Sequence, residues 1–238
     1  ALECFNEAIK LDSNNPGYFL NRGLAYDGLG LLKESIKDFE VVIKLDPKNH
    51  KAYHNIGRVF LLEENYEKAL ECFNEAIKLE SNYSDYFLNR GLAYDGLGLL
   101  EESIKDFEKA IKLYPKNHKA YYNLGTSFLE QEKYEKALEC FNEAIKLDSN
   151  NPDYFFNRGL AYDGLGLFKE SIKDFDEVIK LDPNYINAFI YKGESLNSLG
   201  RSKEALEEYK KAIEVDPHNK DLVKRKEELE IIIKRQEI

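Results

Sequence analysis

The 238-residue chain contains no methionine and no tryptophan. With no Met there is no start residue, so the expectation is a piece excised from a larger protein. Glycine (14) and proline (6) are sparse, which argues against a collagen-like or disordered chain. There is no basic excess. The net charge is -10, and phosphate binding needs a basic surface, so a nucleic-acid partner is not expected. No apolar run approaches the length of a membrane span, so no membrane partner is expected either. No leader peptide is read, because Ala1-Leu2-Glu3-Cys4-Phe5 already has the pattern of an amphipathic helix. Cysteine occurs only as Cys4, Cys72 and Cys140. Equivalent places in stacked repeats lie too far apart for a disulfide, so these are expected to be buried, reduced thiols of a cytoplasmic protein.

What is present is repetition. Phe19 to Gly30 returns unchanged at Phe87 to Gly98, and with Phe156 for Leu at Phe155 to Gly166. Tyr66 to Leu79 returns intact at Tyr134 to Leu147, and its tail opens the chain at Ala1 to Leu11. The two stretches alternate in units of 34 residues marked by Gly23, Gly57, Gly91, Gly125, Gly159 and Gly193. With that glycine as repeat position 8, the expected organisation is one solenoid over 1–238. A half repeat covers 1–15. Full repeats follow at 16–49, 50–83, 84–117, 118–151, 152–185 and 186–219, then a capping helix at 220–238.

Each unit carries apolar residues at positions 4, 8 and 11, then at 20, 21, 24, 27 and 28. In unit 50–83 these are Tyr53, Gly57, Phe60, Ala69, Leu70, Phe73, Ala76 and Ile77. Spacings of three and four put them on one face of a helix, twice per unit. Asn15-Pro16 and Asn151-Pro152 read as a cap followed by Pro at the first helical position. Pro47, Pro115, Pro183 and Pro217 close second helices. Gly at position 8 and Ala or Ser at position 20 let the two helices approach closely.

These residues resemble the tetratricopeptide repeat: a 34-residue period, an aromatic at 4, Gly at 8, Ala or Ser at 20, an aromatic at 24, Ala or Val at 27 and frequent Pro at 32. The resemblance covers residues 1 to about 219. Position 4 is Phe or Tyr, never Trp, and Ser replaces Pro in units 50–83 and 118–151. The resemblance implies an all-α fold, an α-solenoid forming a right-handed superhelix of antiparallel helix pairs, with first helices on the concave side.

Charge matches charge between positions 7 and 23: Arg22 with Asp38, Arg90 with Asp106, Arg158 with Asp174 and Lys192 with Glu208. Apolar matches apolar in Ile56 with Cys72 and Leu124 with Cys140. Positions 7 and 23 are therefore expected to touch. If partly exposed, each ion pair is worth ~0.2–1 kcal/mol. The half repeat lacks its first helix, so Leu2, Phe5 and Ile9 are expected to leave an apolar face suited to weak self-association. The capping helix offers Leu222, Val223, Leu229, Ile232 and Ile233.

Position 6 of the first helix is Asn21, Asn55, Asn89, Asn123 and Asn157 in five successive units, then Tyr191. Repeat duplication accounts for this recurrence as well as ligand contact does. As contacts, the carboxamides form a ladder that donates to and accepts from peptide backbone without reading side chains. Adjacent helices lie ~8–10 Å apart and an extended strand advances ~3.3 Å per residue, so one Asn serves about every third residue. This arrangement is similar to the tetratricopeptide region of the O-linked N-acetylglucosamine transferase. Beside the ladder stand Asp27, Asp95 and Asp163 at position 12, His54 and Tyr122 at position 5, and Lys51 and Lys119 at position 2. Together they form a mixed, aromatic, mildly acidic groove for an extended segment with Lys, Arg, Ser or Thr side chains. The carboxylate clamp of chaperone-tail domains is disfavoured, since position 5 is never Lys and position 6 never Arg.

No catalytic signature is present, and no cofactor or metal is expected. His50 and His54 sit four apart on a helix but lack a third ligand, and read as solvated. The expectation is a non-enzymatic interaction scaffold for a protein or peptide. The alternatives are the substrate-recruiting arm of a larger enzyme such as a glycosyltransferase, and a structural or oligomerisation spacer.

Overall fold

The computed structural model describes residues 1–236, and residues 237–238 of the expected capping helix lie outside the described residues. Fourteen α-helices and no strand occur among them. The chain divides into two compact units, Ala1–Asn123 and Leu124–Ile238. The first holds α1 (Leu2–Leu11), α2 (Pro16–Gly28), α3 (Leu32–Leu45), α4 (His50–Leu62), α5 (Tyr66–Leu79), α6 (Ser84–Gly96), α7 (Leu100–Leu113) and the start of α8 (His118–Glu130). The second holds the rest of α8, then α9 (Tyr134–Leu147), α10 (Pro152–Gly164), α11 (Phe168–Leu181), α12 (Ile186–Ser198), α13 (Ser202–Val215) and α14 (Lys220–Gln236).

The helices start and stop where the local chemistry directs. The side chains of Asn15, Asn49 and Asn151 accept from Gly17, Ala52 and Asp153 amides at 2.9, 3.3 and 3.0 Å, satisfying donors that a helix start leaves open. The turn between paired helices needs one residue in the left-handed region at position 15. Gly30, Gly98, Gly166 and Gly200 fill it with φ of 71–75°, whereas Glu64 and Glu132 are held there at 56°.

Within each hairpin the second helix lays a ring against the glycine of the first. A Cβ on Gly23, Gly57 or Gly91 would meet the Phe39, Phe73 or Phe107 ring at 2.6 Å, and on Gly193 the Tyr209 ring at 2.6 Å. The Ser or Ala at position 20 is fully buried throughout: Ser35, Ala69, Ser103, Ala137, Ser171 and Ala205. In the first unit the core joins Phe19, Phe39, Val42, Ala52 and Ile56. In the second it joins Phe155, Phe156, Phe175, Val178 and Ala188, then Leu196, Tyr209 and Leu229.

Positions 7 and 23 meet as the charge pattern implied, but more tightly. Arg90 donates through Nε and Nη2 to Asp106 at 2.7 and 2.8 Å, with the two side chains 19% and 7% exposed. Arg22 and Arg158 grip Asp38 and Asp174 in the same bidentate way. The third donor reaches back to the preceding hairpin, Arg90 Nη1 to Asn74 at 2.8 Å, as do Arg22 to Asn6 and Arg158 to Asn142. Lys192 bridges Glu208 and Asp176 likewise. Removing one partner of such a pair costs more than breaking an exposed pair, because a mostly buried carboxylate left alone is costly. Ile56 and Cys72 pack in one cluster, and Leu124 and Cys140 are both buried.

Burial of the cysteines follows the stacking. All three are free thiols; Cys140 is buried and Cys72 half-buried, where burial pushes its pKa up to about 11. Cys4 is exposed, against expectation, because no first helix covers α1. No residue of α1 is buried, and Leu2, Phe5 and Ile9 are half-buried. Beside α1 lies an apolar cleft of about 590 Å³ lined by Ala1, Leu2, Glu3, Ala25, Gly28 and Leu29. At the other end α14 buries Leu222 and Leu229 and half-buries Val223 and Ile233. Ile232, assigned to the same face, is 45% exposed because it lies one step round the helix from Ile233.

Candidate functional site on the first helices

Inside each unit the first helices touch one another: α2 with α4, α4 with α6, and α10 with α12. Among the described residues, second helices of the same unit do not. Within each unit, first helices therefore approach one another more closely than second helices do.

The five asparagines are not equivalent. Asn21 is exposed. Asn89, Asn123 and Asn157 are half-buried. Asn55 is buried at 8%, which departs from an exposed ladder, because Arg58 folds over it with Nη1 3.5 Å from its Oδ1. Asn123 and Asn157 donate to the carbonyls of Lys119 and Asp153 one turn earlier, at 2.8 and 2.9 Å. Lys51 and Lys119 are exposed, and Tyr122 is half-buried.

His50 and His54 are not solvated. His50 Nδ1 lies 2.6 Å from the Tyr86 hydroxyl and its ring stacks on Tyr83. His54 stacks on Tyr86 with centroids 4.4 Å apart, and the Asn89 amide donates to its Nε2 at 2.9 Å. Burial, with Arg58 and His50 nearby, pulls the His54 pKa down to about 4, so the ring is neutral and accepts. The same burial pushes the Tyr86 hydroxyl up to about 12. Sequence reasoning missed Tyr83 and Tyr86. The signal was there in position 3, which alternates between Tyr and Ala along the chain.

The three aspartates at position 12 also differ. Asp27 lies 3.6 Å from Arg58, and Asp163 accepts from the Ser195 hydroxyl at 2.8 Å. Arg58 and Ser195 were likewise missed, although Arg58 is the sole Arg at position 9. In the second unit Phe156 meets Tyr185 and Tyr191 at 5.1 and 5.5 Å, and the Tyr185 hydroxyl donates to Asp153. Among the described residues no group of three His, Cys, Asp or Glu could hold a metal ion, and no helix is long and apolar enough to cross a membrane.

Paired helices of 13 and 14 residues, a glycine under an aromatic ring and converging first helices define a helical-repeat protein of the solenoid class. Family models described as tetratricopeptide repeat match residues 16–49, 50–116, 107–139, 152–185 and 188–219, and one described as TPR repeat matches 125–166. The chain belongs to the tetratricopeptide repeat family. A search of curated proteins finds no match. Among solved structures it is similar to YrrB, described as a TPR protein with an unusual peptide-binding site, at 21% identity over 79% of this chain and 97% of that one, with a TM-score of 0.65. It is similar to MamA from Desulfovibrio magneticus RS-1 at 26% identity, covering 72% and 97%, with a TM-score of 0.68. It is also similar to PilF of Pseudomonas aeruginosa at 17% identity, covering 90% and 97%, with a TM-score of 0.78. At such identities YrrB and PilF speak to the fold alone.

Proposed function

We propose that this chain is a non-enzymatic interaction scaffold whose first helices hold an extended peptide segment by its backbone. The observation that carries the reading is Asn at position 6 in five successive first helices, which approach one another within each unit. A carboxamide matches one peptide group, donating to its C=O and accepting from its N–H. The resemblance to the transferase region named above leads to the same reading, and YrrB, which shares the fold, has a peptide-binding site. Burial of Asn55 makes it a support for Arg58, leaving Asn21, Asn89, Asn123 and Asn157 as rungs. Lys51, Lys119, His54, Tyr122 and Asp95 stand beside them as side-chain contacts, while Asp27 and Asp163 are already engaged by Arg58 and Ser195. Three free thiols suit a cytoplasmic working place. Weak self-association through the apolar side chains of α1 belongs to the same proposal, and a strictly monomeric mass at high concentration would rule it out.

The test is selection of binders from a phage-displayed random dodecapeptide library. Affinities of the selected peptides are then measured on wild type and on a variant with Asn21, Asn89, Asn123 and Asn157 changed to Ala. Backbone recognition predicts a loss of tenfold or more for every peptide, whatever its sequence. Unchanged affinities would refute the ladder.

A further inference from the structure

Position 12 carries Asp27, Asp95 and Asp163 within three copies of one sequence stretch, yet the structure gives the three different fates. Asp27 has a guanidinium beside it, Arg58 Nη1 at 3.6 Å. Asp163 accepts from Ser195 Oγ at 2.8 and 3.1 Å. The Asp95 carboxylate accepts no hydrogen bond and meets no cation among the described residues, although the residue is half-buried. Its pKa is accordingly raised, with burial as the cause, whereas hydroxyl donors oppose the same shift at Asp163.

A carboxylate partly withdrawn from water needs donors, and the strongest are charged ones. Asp95 lies on α6, the helix that also carries Asn89. The chain's charge of -10 draws cations toward it from a distance. From these observations we infer that Asp95 anchors an Arg or Lys side chain of the bound peptide. The inference rests on the groove reading and adds to it a specificity: Asn side chains hold backbone, and Asp95 selects a base. Asp27, already beside Arg58, and Asp163, already bonded to Ser195, select much less.

The same library, panned in parallel on wild type, Asp95→Asn and Asp27→Asn, separates the possibilities. Asp95→Asn is isosteric and removes an unsatisfied charge, so it is expected to fold at least as well; melting curves check this, with Asp95→Ser as a second variant. The expected result is enrichment of Arg or Lys at one fixed place in the wild-type and Asp27→Asn pools, and its loss with Asp95→Asn. For a selected peptide, replacing that base with Ala should weaken binding to wild type about tenfold and leave Asp95→Asn unaffected. Peptides captured without a basic preference would overturn this inference and leave the groove standing, as would a preference that survives Asp95→Asn or is lost equally with Asp27→Asn. Capture of no peptide would overturn the groove reading and this inference with it.

Discussion

Replacing Gly91 by Ala tests the close approach that sets the hairpin. Two effects oppose each other. Ala is favoured over Gly in a helix interior by ~0.8–1.0 kcal/mol. Against this, the new Cβ would lie 2.6 Å from Phe107 Cε1 and 2.8 Å from Cδ1. Carbon atoms prefer about 3.5–4.0 Å, so the ring must retreat by about an ångström. Phe107 is 0% exposed and has nowhere to go. Overpacking of this kind costs about 1–3 kcal/mol, and a displaced buried ring belongs near the top of that range. The net expectation is a destabilisation of about 1–2 kcal/mol. Gly28→Ala is the comparator, since nothing lies within 4 Å of its Cβ and the site is helical. There the helix preference stands alone, and the expected change is a gain of up to about 1 kcal/mol. Urea unfolding followed by circular dichroism reads both. The double variant Gly91→Ala with Phe107→Leu should be more stable than the sum of the singles by about 1 kcal/mol, because the methyl enters space the ring has left. A Gly91→Ala chain as stable as wild type, or strict additivity with Phe107→Leu, would refute the steric account.

Two further outcomes follow from the same structure. Arg90→Ala should cost about 2–4 kcal/mol, since it strands the mostly buried Asp106, whereas Arg90→Ile with Asp106→Cys, copying the Ile56 and Cys72 pair, should recover most of it; equal loss in both would sink the ion-pair reading. His54 titrates lower in the folded chain, at about 4, than its ordinary 6.5, so folding favours the neutral ring. Its contribution is complete above about pH 6.5 and is lost as pH falls from there toward 4, amounting to about 2 kcal/mol between pH 7 and pH 5. His54→Tyr, which copies Tyr122, should flatten that part of the stability–pH curve, and an unchanged slope in the variant would refute the assignment.

The sequence reached some of these features and not others. The helix pair, its boundaries at Asn15-Pro16 and before Pro47, and the meeting of positions 7 and 23 were all legible. Each is fixed by local backbone chemistry or by a period that repeats. The site was only partly legible. Histidines assigned to solvent are stacked under Tyr86, and Asn55 is covered by Arg58. The histidine contacts join residues on different repeats, and the spacing within one repeat does not record what the next repeat places opposite; the Asn55 contact lies within α4 and depends on the side-chain conformation that Arg58 adopts.

The sequence by itself determined the repeat: its 34-residue length, the faces of both helices and the glycine beneath each ring. A period of 3.6 residues acts along one helix and needs no knowledge of its neighbours. Only the tertiary structure decided which copies of one stretch differ. Gly96 faces the Tyr66 ring while Gly28, identical in its surroundings along the chain, faces nothing. Asp27 has Arg58 while the Asp95 carboxylate accepts no hydrogen bond and meets no cation among the described residues. Identical residues acquire different properties because hydration, hydrogen bonding and packing are set by what lies across the interface.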